Sequence, residues 1–235
     1  MTPVIFDIDD TLYDLAGPYR AAWADVFQGR VDADADAAFL RSRVRSDEAY
    51  ELVLAGKATM EDMYVMRVQA ALADLGASAT REEALAFQRA YEHHQRLIEV
   101  SPAVAALLDD LSAAGVSLGV LSNGDARHQR EKAEYLGLER WFAPDRIVIS
   151  GEVGAAKPER AIFDAARERL GIPDDVAPWF AGDTYETDIQ GAISAGWRTI
   201  WYNHRRRALP VGAAAPDIEV ATESELCAVV RELVG

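Results

Sequence analysis

The chain has 235 residues, of which 50% are hydrophobic and 27% are charged, and its formal net charge is −15 at pH 7. This composition is typical of a soluble globular protein, and the negative charge argues against a nucleic acid or an anionic membrane surface as a partner. A single cysteine, Cys227, excludes an internal disulfide, and the sequence shows neither a signal-peptide pattern nor a long apolar stretch. We therefore expect a cytoplasmic protein. Its oligomeric state, monomer or homodimer, stays open.

The first predicted element is a short apolar run, Val4-Ile5-Phe6, which is followed at once by acids at Asp7, Asp9 and Asp10. An apolar run this short, bounded by polar residues, indicates a buried strand of a parallel sheet. Carboxylates at the rim of a core are costly, and ligands of open α/β sheets bind beyond the carboxyl ends of the strands. These acids are therefore candidates for contact with a ligand, a metal ion or both.

The block from residue 17 to residue 100 shows no strand pattern. Its apolar residues recur at helical spacing, and Thr80-Arg81-Glu82-Glu83 has the form of a capping box. We predict four helices in this block, over residues 18–27, 32–54, 59–75 and 80–98.

Helices and strands alternate in the remainder of the chain. Predicted strands cover residues 116–121, 147–149, 179–181, 199–202 and 218–220. Predicted helices cover residues 103–114, a polar stretch ending at Leu136, and residues 158–170, 187–195 and 223–233. The alternation predicts an α/β fold, a Rossmann-like parallel sheet with helices on both faces, plus an inserted all-helical cap domain.

The predicted domains are a catalytic core, residues 1–15 and 100–235, and a helical cap, residues 16–99. Because the cap is inserted just past the carboxyl end of the first strand, we expect it to act as a lid over the site.

Polar groups follow several of the predicted strands, and parallel strands bring their carboxyl ends to one edge of a sheet. These groups are Asp7 and Asp9, Ser122 and Asn123, Lys157, and Asp183 with Asp188. No Cys/His cluster has the spacing of a zinc site, so a metal ion here would be held by oxygen, which indicates Mg²⁺. A bound divalent cation would also admit an anionic substrate despite the negative charge of the chain.

The motifs resemble those of the haloacid dehalogenase-like hydrolase superfamily, in its phosphatase branch with a helical cap after the first motif. The resemblance is carried by Asp7-Ile8-Asp9-Asp10-Thr11, Leu121-Ser122-Asn123-Gly124, Lys157-Pro158 and the run from Gly182-Asp183 to Asp188. It implies a magnesium-dependent phosphatase that acts on a small phosphorylated metabolite through an aspartyl-phosphate intermediate.

The resemblance also implies a role for each motif residue. Asp7 would be the nucleophile, and Asp9 would protonate the leaving group and then activate water. Phosphate would be held by Ser122, Lys157 and the amides around Asn123 and Gly124. Mg²⁺ would be held by Asp7, the backbone carbonyl of Asp9, Asp183 and, in or near its shell, Asp188.

Several activities of the superfamily stay open. The motifs look most like those of 5′-nucleotidases and acylneuraminate-phosphatase-like enzymes, which favours a nucleoside monophosphate or a sugar phosphate as substrate. Phosphoglycolate phosphatase and sugar phosphomutase are alternatives, and a haloacid dehalogenase or a catalytically silent binding module is less favoured because Asp9 and Lys157 are both present. Arg205-Arg206-Arg207 is expected at the surface, and Tyr13, Tyr19 and Tyr185 are expected near the pocket.

Overall fold

The computed structural model describes residues 1–234, apart from the side chain of residue 47. The chain divides into two compact units, one of Met1–Asp14 with Glu99–Gly235 and the other of Leu15–Ile98. No helix in the part of the chain that the structure describes combines the length and the apolar character that a membrane crossing requires.

The unit Leu15–Ile98 is helical, as the spacing of its apolar residues predicts. Its helices are α1 (Gly17–Val26), α2 (Ala35–Leu54), α3 (Met60–Ala73) and α4 (Arg81–Gln95). The predicted capping box is present at α4, where the Glu83 amide donates to Thr80 Oγ1 at 3.2 Å and the Thr80 amide donates to Glu83 Oε2 at 2.8 Å. Tyr19, which we expected near the pocket, is buried in the core of this unit against Phe39 and Phe87.

The other unit is built on a sheet whose neighbouring strands are all parallel. The strands are β1 (Val4–Phe6), β2 (Leu118–Ser122), β3 (Ile147–Ile149), β4 (Trp179–Gly182), β5 (Arg198–Tyr202) and β6 (Ile218–Val220). Their order is β3-β2-β1-β4-β5-β6, so β1 is central and the direction of strand progression reverses there. In this topology ligands bind at the carboxyl ends of the strands beside the reversal.

Helices surround this sheet, which confirms the predicted α/β class. They are α5 (Pro102–Ala113), α6 (Ala126–Tyr135), α7 (Ser150–Val153), α8 (Arg160–Leu170), α9 (Gln190–Ser194) and α10 (Glu223–Val234). Apolar side chains of α8 and α9 form one buried layer with β1 to β4, and α10 packs on α5 and on β5 and β6.

One predicted helix begins differently. The pattern predicts a helix over residues 187–195, but a wider π-helical turn, Tyr185–Ile189, precedes α9. The Asp188 side chain turns back to the start of this segment, where its Oδ2 accepts a hydrogen bond from the Thr184 amide at 3.0 Å. Such widened turns are frequent at functional sites, and here the turn brings Asp188 to the end of β4.

Candidate active site

The residues that the sequence places at separate strand ends lie together at the carboxyl edge of β1, β2 and β4. Asp7 follows β1, Ser122 ends β2, and Asp183 follows β4. Lys157, from the loop between α7 and α8, reaches the same place: its Nζ lies 2.7 Å from Asp7 Oδ1 and 2.7 Å from Asp188 Oδ1. All five side chains are buried.

Among the described residues, the acids of this cluster outnumber the cations that face them. Burial raises the pKa of Asp7 to about 8, an increase that Asp188 and Asp9 reinforce and Lys157 opposes. Burial also raises the pKa of Asp183 to about 7, with a contribution from Asp188. Burial alone would lower the pKa of Lys157, but its two carboxylate partners raise it instead. The single ammonium group therefore stays charged beside more acids than it can neutralise.

The same cluster fits a hard divalent cation. One carboxylate oxygen each of Asp7, Asp183 and Asp188 lies within 4.8 Å of the others, and oxygen atoms are the ligands that Mg²⁺ prefers. Gly182 makes room for this arrangement, because a Cβ atom at that position would lie 2.6 Å from Asp188 Oδ2. A cation bound here would offset the burial and the charge of Asp188 that raise the pKa values of Asp7 and Asp183.

A second group of ligand-type atoms, from Asp10, Asp183 and His204, lies beside the first. Here arginines supply the positive charge. Arg205 donates to Asp10 Oδ2, and Arg207 Nη2 lies 3.8 Å from Asp183 Oδ2. Burial alone would raise the pKa of Asp10, but His204 and Arg205 against it lower the pKa to about 2. We interpret this group as an ion-pair network, and it corrects the expectation that the arginine run lies wholly at the surface.

Hydrogen bonds join the loop after β2 to the loop that carries Lys157. The Asn123 side chain accepts from the Lys157 amide at 2.8 Å and donates to the Lys157 carbonyl at 2.9 Å. The Gly124 amide donates to Ser150 Oγ at 2.9 Å, so it is already engaged within the protein. Ser122 is fully buried, and its Oγ accepts from Gln129 Nε2 at 2.7 Å. In this loop, therefore, the Asn123 side chain positions Lys157, while no described residue accepts the Ser122 hydroxyl hydrogen.

The Asp9 carboxylate is held apart from the three acids by other side chains. Tyr13 donates to Asp9 Oδ1 at 2.7 Å, and Lys132 Nζ lies 2.6 and 2.7 Å from the two carboxylate oxygens. Burial alone would raise the pKa of Asp9, but Lys132, Tyr13 and Gln129 outweigh it and lower the pKa. Tyr13 thus lies where the sequence suggested, whereas the Tyr185 hydroxyl donates to the Ala214 carbonyl instead.

Sequence reasoning missed Lys132 and Gln129, which lie one helical turn apart on α6. The sequence identifies that segment only as a polar helix, which is typical of a solvated surface. The available signal was weak: α6 follows the loop of Ser122 directly, so one of its faces must cover that loop.

Comparisons with known proteins agree with the geometry. A family model described as haloacid dehalogenase-like hydrolase matches residues 2–196. Over 125 residues the chain is 40% identical to the pyrimidine 5′-nucleotidase YjjG of Escherichia coli. The matched stretch is 53% of this chain and 54% of that relative, so the chain spans about half the length of that relative. The N-acylneuraminate-9-phosphatase of Mus musculus is 30% identical over 238 residues, which cover 98% of this chain and 94% of that protein. Among solved structures, an L-2-haloacid dehalogenase has the same fold, with a TM-score of 0.71 and 23% identity over 98% of this chain and 99% of that one.

These matches confirm the resemblance that the motifs indicated. The family model covers most of the chain, and a relative at 30% identity covers nearly all of it. The prediction of a hydrolase of the phosphatase type is also confirmed, because the relatives include phosphatases and a nucleotidase. The chain belongs to the haloacid dehalogenase-like hydrolases.

Proposed function

We propose that this protein is a magnesium-dependent phosphatase that hydrolyses a small phosphate monoester, a nucleoside monophosphate or a sugar phosphate, through an aspartyl-phosphate at Asp7. The observation that carries the proposal is the division of the acids into two environments. Asp7 shares Lys157 with Asp188 in a buried cluster, while Asp9, two residues further on, is held separately by Tyr13 and Lys132. Carboxylates in different environments can serve as nucleophile and as acid–base group.

In the first step, a carboxylate oxygen of Asp7 attacks phosphorus, and the bond from phosphorus to the ester oxygen breaks. Lys132 and Tyr13 lower the pKa of Asp9 in the free protein, but the negative charge of a bound phosphate ester would raise it. Asp9 can then hold a proton and give it to the departing oxygen, so an alcohol leaves. Lys157, the Ser122 hydroxyl and the backbone amide of Asn123 would bind the phosphate oxygens. Mg²⁺ held by Asp7, Asp183 and the Asp9 carbonyl, with Asp188 at its edge, would neutralise charge as the carboxylate approaches the phosphate.

In the second step, a water molecule attacks phosphorus and the bond between phosphorus and the Asp7 oxygen breaks. Asp9, now a carboxylate, takes a proton from this water, which restores its acid form. Inorganic phosphate leaves, and Asp7 is again a free carboxyl group. The cycle consumes one ester and one water and yields one alcohol and one phosphate.

The names of the relatives support a small phosphorylated metabolite as substrate, since one acts on pyrimidine 5′-nucleotides and another on an acylneuraminate 9-phosphate. Phosphoglycolate phosphatase and sugar phosphomutase chemistry would use the same core residues. Dehalogenation is disfavoured because a departing halide needs no proton, whereas three side chains hold Asp9 in place. We further propose that residues 16–99 are the cap domain that selects the substrate, and that residues 1–15 and 100–235 are the catalytic core.

The test is release of phosphate from a panel of nucleoside monophosphates, sugar phosphates and phosphoglycolate, with and without Mg²⁺. Asp7→Asn is compared with Asp145→Asn, which changes an exposed acid outside the site. We expect magnesium-dependent turnover that Asp7→Asn lowers at least about a thousandfold and Asp145→Asn leaves unchanged. Absence of turnover on every ester, or full activity of Asp7→Asn, would refute the proposal.

A further inference from the structure

Two of the three buried side chains of α6, Gln129 and Lys132, are polar, and polar side chains are uncommon at buried positions. Gln129 is 1% exposed and Lys132 is 7% exposed, and both point at the loop that follows β1. A buried lysine must keep a partner, because a charge removed from water without one is strongly disfavoured. For Lys132 that partner is Asp9, 123 positions earlier in the chain.

The three lysines of the chain have distinct surroundings. Lys57 is exposed, Lys157 binds Asp7, and Lys132 binds Asp9. A buried ion pair is weak evidence for a contribution to stability, since desolvation can offset the attraction between the charges. The pairing of each candidate reactive carboxylate with its own buried lysine therefore suggests a functional reason for Lys132 as well.

The contacts fix the Asp9 carboxylate in position and in rotation. Lys132 Nζ lies 2.6 Å from Asp9 Oδ1 and 2.7 Å from Oδ2, so it bridges both oxygens. Tyr13 donates to Oδ1 at 2.7 Å, and Gln129 Nε2 lies 3.4 Å from Oδ2. Gln129 also donates to Ser122 Oγ, which links this arrangement to the proposed phosphate site. Among the contacts of the described residues, Lys132 touches no other candidate catalytic side chain.

We propose that Lys132 is a positioning residue that holds the Asp9 carboxylate in the orientation needed for proton transfer to the leaving group and from water. This inference rests on the proposed function, because it assigns Lys132 a part in the same reaction. Lys132 acts through Asp9, so its removal impairs the acid–base steps and leaves the attack by Asp7 intact.

The test separates these steps with p-nitrophenyl phosphate, whose leaving group needs no proton. A single turnover with enzyme in excess, followed as p-nitrophenolate release, reports the attack by Asp7, whereas steady-state kcat also requires water activation by Asp9. Lys132→Met removes the charge at similar length. Arg127→Met, an exposed cation on the same helix, is the matched control.

We expect Lys132→Met to lower steady-state kcat at least about tenfold, while the single-turnover rate stays within about threefold of wild type. Arg127→Met changes neither rate. In an Asp9→Asn background, Lys132→Met lowers kcat no further, because residues that act as a unit are not additive. Equal losses in both rates, an unchanged kcat, or the same fold loss in both backgrounds would overturn the proposal.

A crystal structure of the variant tests the role of Lys132 without a measurement of turnover. In crystals of Lys132→Met we expect the Asp9 carboxylate to rotate away from the Tyr13 hydroxyl, and an unmoved carboxylate would overturn the proposal. If Lys132→Met does not fold, Lys132→Gln, which removes the charge but keeps an NH2 donor group, replaces it in every assay. If the wild-type protein hydrolyses no phosphate ester, the proposed function fails, while the position of Asp9 in the variant still decides the role of Lys132.

Discussion

Gly182 offers a sharp test of the acidic cluster, because its missing side chain leaves room for Asp188. In Gly182→Ala the new Cβ would lie 2.6 Å from Asp188 Oδ2 and 2.7 Å from its Cβ and Cγ. These distances are about 1 Å shorter than an ordinary contact, so Asp188 must move from its present position. We expect the free energy of unfolding to fall by about 1–3 kcal/mol, and Mg²⁺ affinity to fall by about tenfold to a hundredfold.

Gly119→Ala is the matched control, because it makes a contact of the same length in the core. Its Cβ would lie 2.6 Å from Leu170 Cδ1, away from the acids. Urea unfolding measures the loss of stability, and calorimetric titration with Mg²⁺ measures affinity. We expect both variants to be destabilised, but only Gly182→Ala to bind Mg²⁺ more weakly. Equal Mg²⁺ affinity in the two variants would refute the placement of Asp188 at the metal site.

Three further predictions follow from the charges of the site. Burial raises the pKa of Asp183 to about 7 and that of Asp7 to about 8, and both must be deprotonated to bind a metal. Mg²⁺ affinity measured by calorimetry should therefore rise from about pH 6 to about pH 9, and a constant affinity would contradict this. Lys157→Met leaves two buried acids without their cation and should lower the free energy of urea unfolding by about 3–5 kcal/mol, whereas the exposed Lys57→Met should change it by less than about 0.5 kcal/mol. The pKa of Asp10 is about 2 in the folded protein and 3.8 ordinarily. Its ion pair therefore stabilises the fold at pH values above 3.8, and this stabilisation is lost as the pH falls towards 2. The stability difference between wild type and Asp10→Asn, about 2 kcal/mol at neutral pH, should shrink over that range in acid unfolding experiments, and a constant difference would contradict the assignment.

The order of elements could be predicted from the sequence because each one depends on local patterns. The apolar run before Asp7, the capping box at Thr80 and the alternation after residue 100 are all readable without neighbours, and each is found in the fold. Pattern reading was less accurate at the start of α9, where a π-helical turn, Tyr185–Ile189, precedes the α-helix. One widened turn changes the spacing of apolar residues too little to be detected in hydrophobic periodicity.

The candidate site also contains residues that the sequence identifies and residues that only the packing reveals. The motif order identifies Asp7, Lys157 and Asp183, since residues at the carboxyl ends of parallel strands meet at one edge of the sheet. It does not identify Lys132, because a lysine on a polar helix looks solvated until the packing of α6 buries it. The pairing of Asp10 with Arg205 spans 195 positions and depends on how the loop after β5 folds back.

By itself, the sequence determined the fold class, the order of the strands along the chain and the motif residues proposed to react with or bind the phosphate ester. Tertiary structure alone decided which cations face the neighbouring acids: Lys132 for Asp9 and Arg205 for Asp10. The physical reason is that backbone periodicity is a property of neighbouring residues, whereas the partner and the pKa of a buried charge depend on which distant side chains share its low-dielectric surroundings.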